Sequence, residues 1–184
     1  MKIKLSNNKV IENNRKCFII AEAGVNHNGS LKIAKQLIDL AVEASADAVK
    51  FQTFKADEIV LKDAPKAKYH IETTGSDKKL SWYNLLKKQE ISLKMHKALI
   101  SYCKKKNIIF MSTPYDKKSV DLLCRLNVEI FKIASTDSNN YQLIEYIAKK
   151  RKPVILSTAM SDMIEIQKSV KILKKYLKNN FALM

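Results

Sequence analysis

The sequence contains little glycine, little proline and little cysteine. Its 184 residues include three of each, which excludes collagen-like chains, flexible linkers and proline-rich low-complexity chains. The cysteines, Cys17, Cys103 and Cys124, are widely spaced, so neither a disulfide framework nor a structural zinc site is indicated, and we expect three reduced core residues. No apolar run approaches the roughly 18 residues of a membrane-spanning helix, and the first residues lack the apolar stretch of a signal peptide. These absences predict a cytoplasmic protein with no membrane partner.

Positive charge is in excess. The 34 Lys and Arg residues against 18 Asp and Glu residues give a net charge of +16. The clusters at 104–106, 149–152 and 174–175 fall at the ends of predicted helices, where cations complement the helix macrodipole. This distribution favours solvated helix ends, and we expect no nucleic-acid partner. A non-catalytic basic binding module stays an alternative, which salt-dependent binding to nucleic acid would reveal.

Short apolar runs alternate with helical stretches along the chain, a pattern typical of βα units. Six runs predict strands, at 17–24, 48–54, 108–114, 130–135, 154–159 and 181–184. Apolar stripes predict the intervening helices, for which the N-caps are Ser30, Ser92, Asp116 and Asp162. Residues 55–90 are too many for a simple loop and are typical of a lid with a short helix at 81–88.

Apolar strands joined by helices imply an α/β fold with a parallel sheet, either doubly wound or a (β/α)8 barrel. No glycine-rich phosphate loop follows any strand, so we predict the TIM barrel. A complete barrel takes about 250 residues, and we therefore expect one truncated after about the sixth strand. Residues 1–16 are assigned to an N-terminal hairpin cap, and 17–184 to the N-terminal part of the barrel domain.

Polar residues close the predicted strands at the end where barrels bind their ligands. They are Glu22, Lys50, Gln52, Ser112, Thr113, Lys132, Ser135, Ser157 and Thr158. Burying a charge costs several kcal/mol unless it is paired or meets a ligand. The ammonium groups of Lys50 and Lys132, with the hydroxyl groups, therefore favour a site for a phosphate and a carboxylate. The structural alternative is that Glu22 pairs with Lys50 and the hydroxyl groups cap helices.

Five motifs, in register along nearly the whole chain, resemble the sialic acid synthase family. They are EAGVNHNG at 22–29, VKFQT at 49–53, MSTP at 111–114, FKIAS at 131–135 and ILST at 155–158. The family includes the N-acetylneuraminate, legionaminate and pseudaminate synthases, which condense phosphoenolpyruvate with an N-acetylated mannose-type sugar. Residues 64–69 are more similar to the neuraminate and legionaminate branch than to the pseudaminate branch.

The resemblance implies a role for each candidate. Lys50, Thr113 and Lys132 would hold the carboxylate of phosphoenolpyruvate. Its phosphate would lie on Ser135 and Ser157. Glu22 and Gln52 would face the sugar, and with the two lysines they form the predicted catalytic set. The remaining predicted substrate-binding residues are Asn26, Ser112 and Asp137. Two positions depart from the family pattern, because Thr136 and Ala159 stand where glycine is usual.

The resemblance also implies features outside this sequence. A divalent metal, Mn²⁺ or Mg²⁺, is expected with ligands beyond Met184, and no residue here is assigned as a metal ligand. The rest of the barrel and a C-terminal antifreeze-like domain, which would reach across a homodimer, are likewise expected beyond it. A Schiff-base aldolase on the same fold, with Lys50 or Lys132 as the nucleophile, stays an alternative.

Overall fold

The structure is a computed structural model that describes residues 2–66, 71–72 and 81–184. An antiparallel hairpin opens the chain with strands β1 (Lys2–Lys4) and β2 (Val10–Glu12). Six further strands form one parallel sheet: β3 (Ile20–Gly24), β4 (Ala48–Thr53), β5 (Ile109–Pro114), β6 (Phe131–Ile133), β7 (Val154–Leu156) and β8 (Phe181–Leu183). Their order in the sheet follows their order in the sequence.

Helices connect the parallel strands. They are α1 (Leu31–Glu43), α2 (Ala56–Ile59), α3 (Trp82–Gln89), α4 (Leu93–Lys105), α5 (Lys117–Arg125), α6 (Tyr141–Ala148) and α7 (Met163–Leu177). A 3-10 turn, Ser135–Asp137, follows β6. The four predicted N-caps are confirmed, since the side chains of Ser30, Ser92, Asp116 and Asp162 each accept a backbone N–H of the first helical turn. No helix in the described part of the chain is both long enough and apolar enough to cross a membrane.

The sheet separates two hydrophobic cores. The outer core lies between the strands and the helices and includes Val49, Phe51 and Phe110. The inner core lies on the opposite face and includes Ala48, Ile109, Met111, Ile130 and Ile155. Ile3, from β1 of the hairpin, is fully buried in this inner core. The hairpin therefore covers the end of the sheet at which the parallel strands begin.

The predicted α/β class with a parallel sheet is confirmed. The structure differs from the prediction at Cys17 and at the start of the first sheet strand. The expectation that all three cysteines lie in the core was wrong for Cys17, which is exposed. The first sheet strand begins only at Ile20, and the Asp47 carboxylate rather than a ladder partner accepts the Ile19 N–H at 2.8 Å. The helix predicted at 81–88 is α3. A third of the predicted lid, residues 67–70 and 73–80, and half of the segment 64–69 lie outside the described residues.

Candidate active site

The pleat of the strands decides which polar side chains share the inner face. On β4, Ala48 belongs to the inner core whereas Val49 and Phe51 belong to the outer core. Because successive side chains alternate between faces, Lys50 and Gln52 lie on the inner face with Ala48. Four further candidates each stand two residues after an inner-core residue and share this face: Glu22, Thr113, Lys132 and Ser157.

Lys50 lies at the centre of one group of contacts on the inner face. Its Nζ is 2.7 Å from Oε2 of Glu22, its register partner on β3, and donates to Oγ1 of Thr113 at 3.1 Å. The lysine side chain is 8% exposed and the glutamate side chain 54%. The ion pair offsets the cost of burying the ammonium group. An ammonium group has three N–H donors. Glu22 and Thr113 accept two of them, so the described contacts leave the third for a ligand.

Lys132 is buried in the middle of β6 without a carboxylate within ion-pairing distance in the described part of the chain. Its Nζ donates to Oγ of Ser157 and, at 3.3 Å, to the Ile133 carbonyl. Burial and the nearby charge of Lys50 lower the pKa of Lys132 to about 8, although the charge of Glu22 acts in the opposite direction. A bound anion would favour the charged form of this lysine. The arrangement suits an anionic substrate.

A cavity of about 890 Å³ has Gln52, two residues after Lys50 on β4, in its lining, and its volume is within the size range of small-molecule sites. Gln52 reaches it from the inner face, and Asp137 lines it from the turn that begins at Ser135. Asn140 donates to Oδ1 of Asp137 at 3.0 Å, while burial raises the pKa of that carboxyl group. Burial, with the negative charges of Asp137 and Glu22, raises the pKa of Tyr115 to about 12. This wall of the cavity is polar.

Two predicted site residues make no hydrogen bond to these groups among the described residues. Asn26 is exposed in the loop after β3, and its side chain makes no hydrogen bond to any other described residue. Ser112 is fully buried on the outer face of β5, where its hydroxyl group is 2.7 Å from Oγ1 of Thr53. The alternation that turns Thr113 inward turns Ser112 towards the helices. The structure therefore does not bring Ser112 to the inner face.

A buried polar network behind the site was missed by the sequence analysis. Oγ1 of Thr53 is 2.9 Å from Nε2 of His96, whose Nδ1 is 3.0 Å from the Ser92 carbonyl. Because a carbonyl only accepts, Nδ1 carries the proton, so Thr53 donates to Nε2 and Ser112 donates to Thr53. Burial lowers the pKa of His96, which favours the neutral ring. The signal in the sequence was a histidine on the apolar face of a helix.

His27 is a second buried histidine near this network. Its Nδ1 accepts the Gly29 N–H at 3.0 Å, and its ring centre is 6.0 Å from that of Phe51. Its Nε2 has no hydrogen-bond partner among the described residues. The accepting Nδ1 carries no proton, and burial, which lowers the pKa of His27, likewise favours the neutral ring.

Comparison with known proteins places the chain in a family. A model of the NeuB family matches residues 37–184. The chain belongs to the NeuB family. It is 48% identical over 161 residues to an N,N'-diacetyllegionaminic acid synthase of Campylobacter jejuni, covering 88% of this chain and 48% of that protein. It is 42% identical over 166 residues to the protein of that name from Legionella pneumophila, covering 90% and 46%.

Solved structures agree with the NeuB assignment. An N-acetylneuraminic acid (sialic acid) synthetase from Leptospira borgpetersenii, crystallised with citrate, superposes with a TM-score of 0.82 at 38% identity. That match covers 100% of this chain and 58% of the other. The chain spans about half the length of the curated NeuB relatives that it matches.

The described residues of this NeuB chain do not fit a divalent-metal site. They contain no group of three His, Cys, Asp or Glu side chains that could hold a metal ion. The nearest carboxylate to the lysines, that of Glu22, is already paired with Lys50. We therefore assign no step of the chemistry below to a metal held by these residues.

Proposed function

We propose that the chain is the N-terminal part of an enzyme that condenses phosphoenolpyruvate with an N-acetylated mannose-type sugar. The products would be phosphate and a nine-carbon sialic-type acid, N-acetylneuraminate or legionaminate. The observation that carries the proposal is the pair of buried ammonium groups on one face of the sheet, of which that of Lys132 has no carboxylate partner among the described residues. The synthases to which the chain is similar support it.

The inner face suggests how phosphoenolpyruvate would bind. Lys50, Thr113 and Lys132 would hold its carboxylate, and Ser157 with Ser135 its phosphate. Lys50 already contacts Thr113, and Lys132 contacts Ser157. Charge-assisted hydrogen bonds to charged ligands contribute about 1.5 to 3 kcal/mol each. Positive charge placed in advance would also stabilise the charge that develops on the substrate during the reaction.

The proposed reaction forms one carbon–carbon bond and breaks one carbon–oxygen bond. C3 of phosphoenolpyruvate adds to the aldehyde carbon of the open-chain sugar, and the aldehyde oxygen takes a proton. Water adds to C2 and loses one proton; the resulting C2 hydroxyl group gives its remaining proton to the phosphate, which leaves with its bridging oxygen, and C2 becomes a ketone. Glu22 and Gln52 would face the sugar, and the 54% exposure of the Glu22 side chain leaves its carboxylate accessible for this role.

The architecture of the whole protein is part of the proposal. We infer a (β/α)8 barrel, because the six parallel strands lie side by side in sequence order. Residues 1–16 would be its hairpin cap, and chain beyond this sequence would supply the remaining strands, the antifreeze-like domain and the ligands of a Mn²⁺ or Mg²⁺ ion. The complete protein would be a cytoplasmic homodimer.

Sugar-dependent release of phosphate tests this function. The full-length protein is incubated with phosphoenolpyruvate and Mn²⁺, and with one of two sugars. These are N-acetylmannosamine and its 6-deoxy diacetamido analogue, 2,4-diacetamido-2,4,6-trideoxymannose. We expect phosphate only when an acceptor sugar is present, and its loss in Lys132→Ala. A folded protein that releases no phosphate with either sugar would contradict the proposal.

A second candidate, a lysine Schiff-base aldolase, is favoured by one observation. The pKa of Lys132, lowered to about 8, leaves part of its amine neutral and nucleophilic near neutral pH. Borohydride reduction with pyruvate separates the two candidates, since only the aldolase would gain a stable covalent mass. The synthase should remain unmodified under the same conditions.

A further inference from the structure

Ser135 and Ser157, the two serines proposed to hold the phosphate of phosphoenolpyruvate, lie just beyond the sheet. The pairing of β6 with β7 ends at Ile133 and Leu156, and one further hydrogen bond, from the Ser157 N–H to the Ile133 carbonyl at 3.1 Å, follows it. Ser135 begins the 3-10 turn, two residues after the end of β6. The sheet by itself therefore does not fix the distance between Ser135 and Ser157.

A buried hydroxyl group, that of Ser138, connects the two turns that carry these serines. Its Oγ donates to the Ser135 carbonyl at 2.5 Å and lies 2.5 Å from Oγ of Ser161. Because the single hydroxyl proton of Ser138 goes to the carbonyl, Ser161 is the donor of the second bond. The Ser161 N–H in turn donates to the Thr158 carbonyl at 3.2 Å, next to Ser157. The contacts thus run from one phosphate serine to the neighbour of the other.

Helix α7 holds Ser138 in place. The hydroxyl group of Ser169, in the second turn of α7, donates to the Ser138 carbonyl at 2.6 Å, and both residues are buried. Asn139, the next residue, donates to Oε1 of Glu165 on the same helix at 2.8 Å. The turn after β6 is therefore fixed before any ligand binds, and groups positioned in advance bind a ligand without the cost of ordering them.

We propose that Ser138 is a positioning residue for the phosphate group of phosphoenolpyruvate, because its bond to Ser161 fixes the distance between Ser135 and Ser157. The inference rests on the proposed function, which places the phosphate on those two serines. Ser138 is 1% exposed and its hydroxyl proton is already donated, so it acts through its neighbours rather than by contact with substrate. It should affect the binding of the phosphate group alone, because other side chains would hold the carboxylate.

Binding of phosphoenolpyruvate and of pyruvate tests this role, since the two share the carboxylate and differ by the phosphate group. Calorimetry on the full-length protein measures Kd for phosphoenolpyruvate directly and Kd for pyruvate by displacement. Ser138→Ala and Ser161→Ala should each raise Kd for phosphoenolpyruvate about five- to tenfold, the effect of one lost hydrogen bond, and leave Kd for pyruvate nearly unchanged. Ser161→Thr keeps a hydroxyl group at a partly exposed position and should restore the wild-type Kd. If Ser138→Ala does not fold, Ser161→Ala carries the test.

Ser119→Ala is the matched structural control. Ser119 is similarly buried and its hydroxyl group donates to Oδ2 of Asp116 at 2.6 Å, but it belongs to α5 and makes no hydrogen bond to either turn in the described structure. Its loss should lower the free energy of unfolding, as Ser138→Ala does, with both Kd values unchanged. In the reaction, Ser138→Ala should raise KM for phosphoenolpyruvate and leave KM for the sugar and kcat nearly constant.

The outcomes separate this inference from the proposed function. If Ser138→Ala weakens the binding of phosphoenolpyruvate alone but the wild type releases no phosphate, the reaction is wrong and the positioning role stands. If the wild type releases phosphate but Ser138→Ala leaves Kd for phosphoenolpyruvate unchanged, or weakens pyruvate equally, the positioning role is overturned and the function stands. A folded wild type that does not bind phosphoenolpyruvate overturns both.

Discussion

The two buried lysines of the candidate site differ in whether a carboxylate is paired with them. Lys50 has the Glu22 carboxylate at 2.7 Å, whereas Lys132 has only a hydroxyl group and a carbonyl among its described contacts. Its pKa is lowered to about 8 because burial disfavours the ammonium form and Lys50 repels it. The positive charge that would attract an anion is therefore present below about pH 8 and is lost above it.

The affinity for phosphoenolpyruvate should follow this titration. Below about pH 8 Lys132 is charged, so Kd should be nearly constant. Above it, the free protein loses the proton that binding requires, so Kd should rise by up to about tenfold per pH unit. Calorimetry between pH 7 and pH 9.5 measures this. Lys132→Arg keeps its charge throughout and should remove the break near pH 8. The same break in both proteins would assign it to another group.

At the scale of elements, the Ser112–Thr53–His96 network joins two strands to a helix. Ser112 belongs to β5, Thr53 to β4 and His96 to α4, and all three residues are buried. Gln52 and Thr113, which are register partners on the inner face, each adjoin one of the network's strand residues. The network thus holds these two strand ends in place from the outer face of the sheet, which the helices cover.

Ser112→Ala and Ser157→Ala should therefore have different effects. Removing the Ser112 hydroxyl group leaves Thr53 without its donor and should lower the free energy of unfolding by about 1 to 2 kcal/mol, with little change in Kd for phosphoenolpyruvate. Ser157→Ala should raise that Kd and change stability less. Ser101→Ala, on the exposed surface of α4, is the stability control. Chemical denaturation and calorimetry measure the two quantities. A larger binding defect in Ser112→Ala would contradict the assignment of faces.

The strands and helices around the candidate site show which features can be predicted from the sequence and which cannot. N-caps such as Ser92 and Asp162 were predictable because a cap is a local signal of one side chain and three following residues. The inward placement of Lys50 and Lys132 among polar groups was predictable because charge inside an apolar strand demands a partner. Ser112 was not, since adjacent polar residues point to opposite faces and only the packed core shows which face is inner. The hydrogen bond between His96 and Thr53 was not predictable either, because the two residues are distant in sequence.

Over the whole molecule, part of the lysine excess is used between helices. Tyr102 of α4 donates to Asp39 of α1 and lies beneath the ammonium group of Lys106. The same combination of tyrosine, carboxylate and lysine recurs twice: Tyr146 with Asp121 and Lys150, and Tyr176 with Glu145 and Lys175. Each such contact is worth little at the surface. Their recurrence nevertheless gives these cations a structural role on the outer helices.

The open edges of the sheet predict how a polypeptide of only these 184 residues behaves. In the described structure β3 and β8 each pair on one side only. Apolar side chains at these edges are exposed, Ile19 to 47% and Leu183 to 48%. Unpaired strand edges and exposed apolar surface promote association between chains. Sedimentation velocity over a range of concentrations should therefore show dimers or larger species, and a longer chain that covers both edges should reduce them. A single monomer boundary with cooperative melting would show that the edges are protected in solution by the 184 residues themselves.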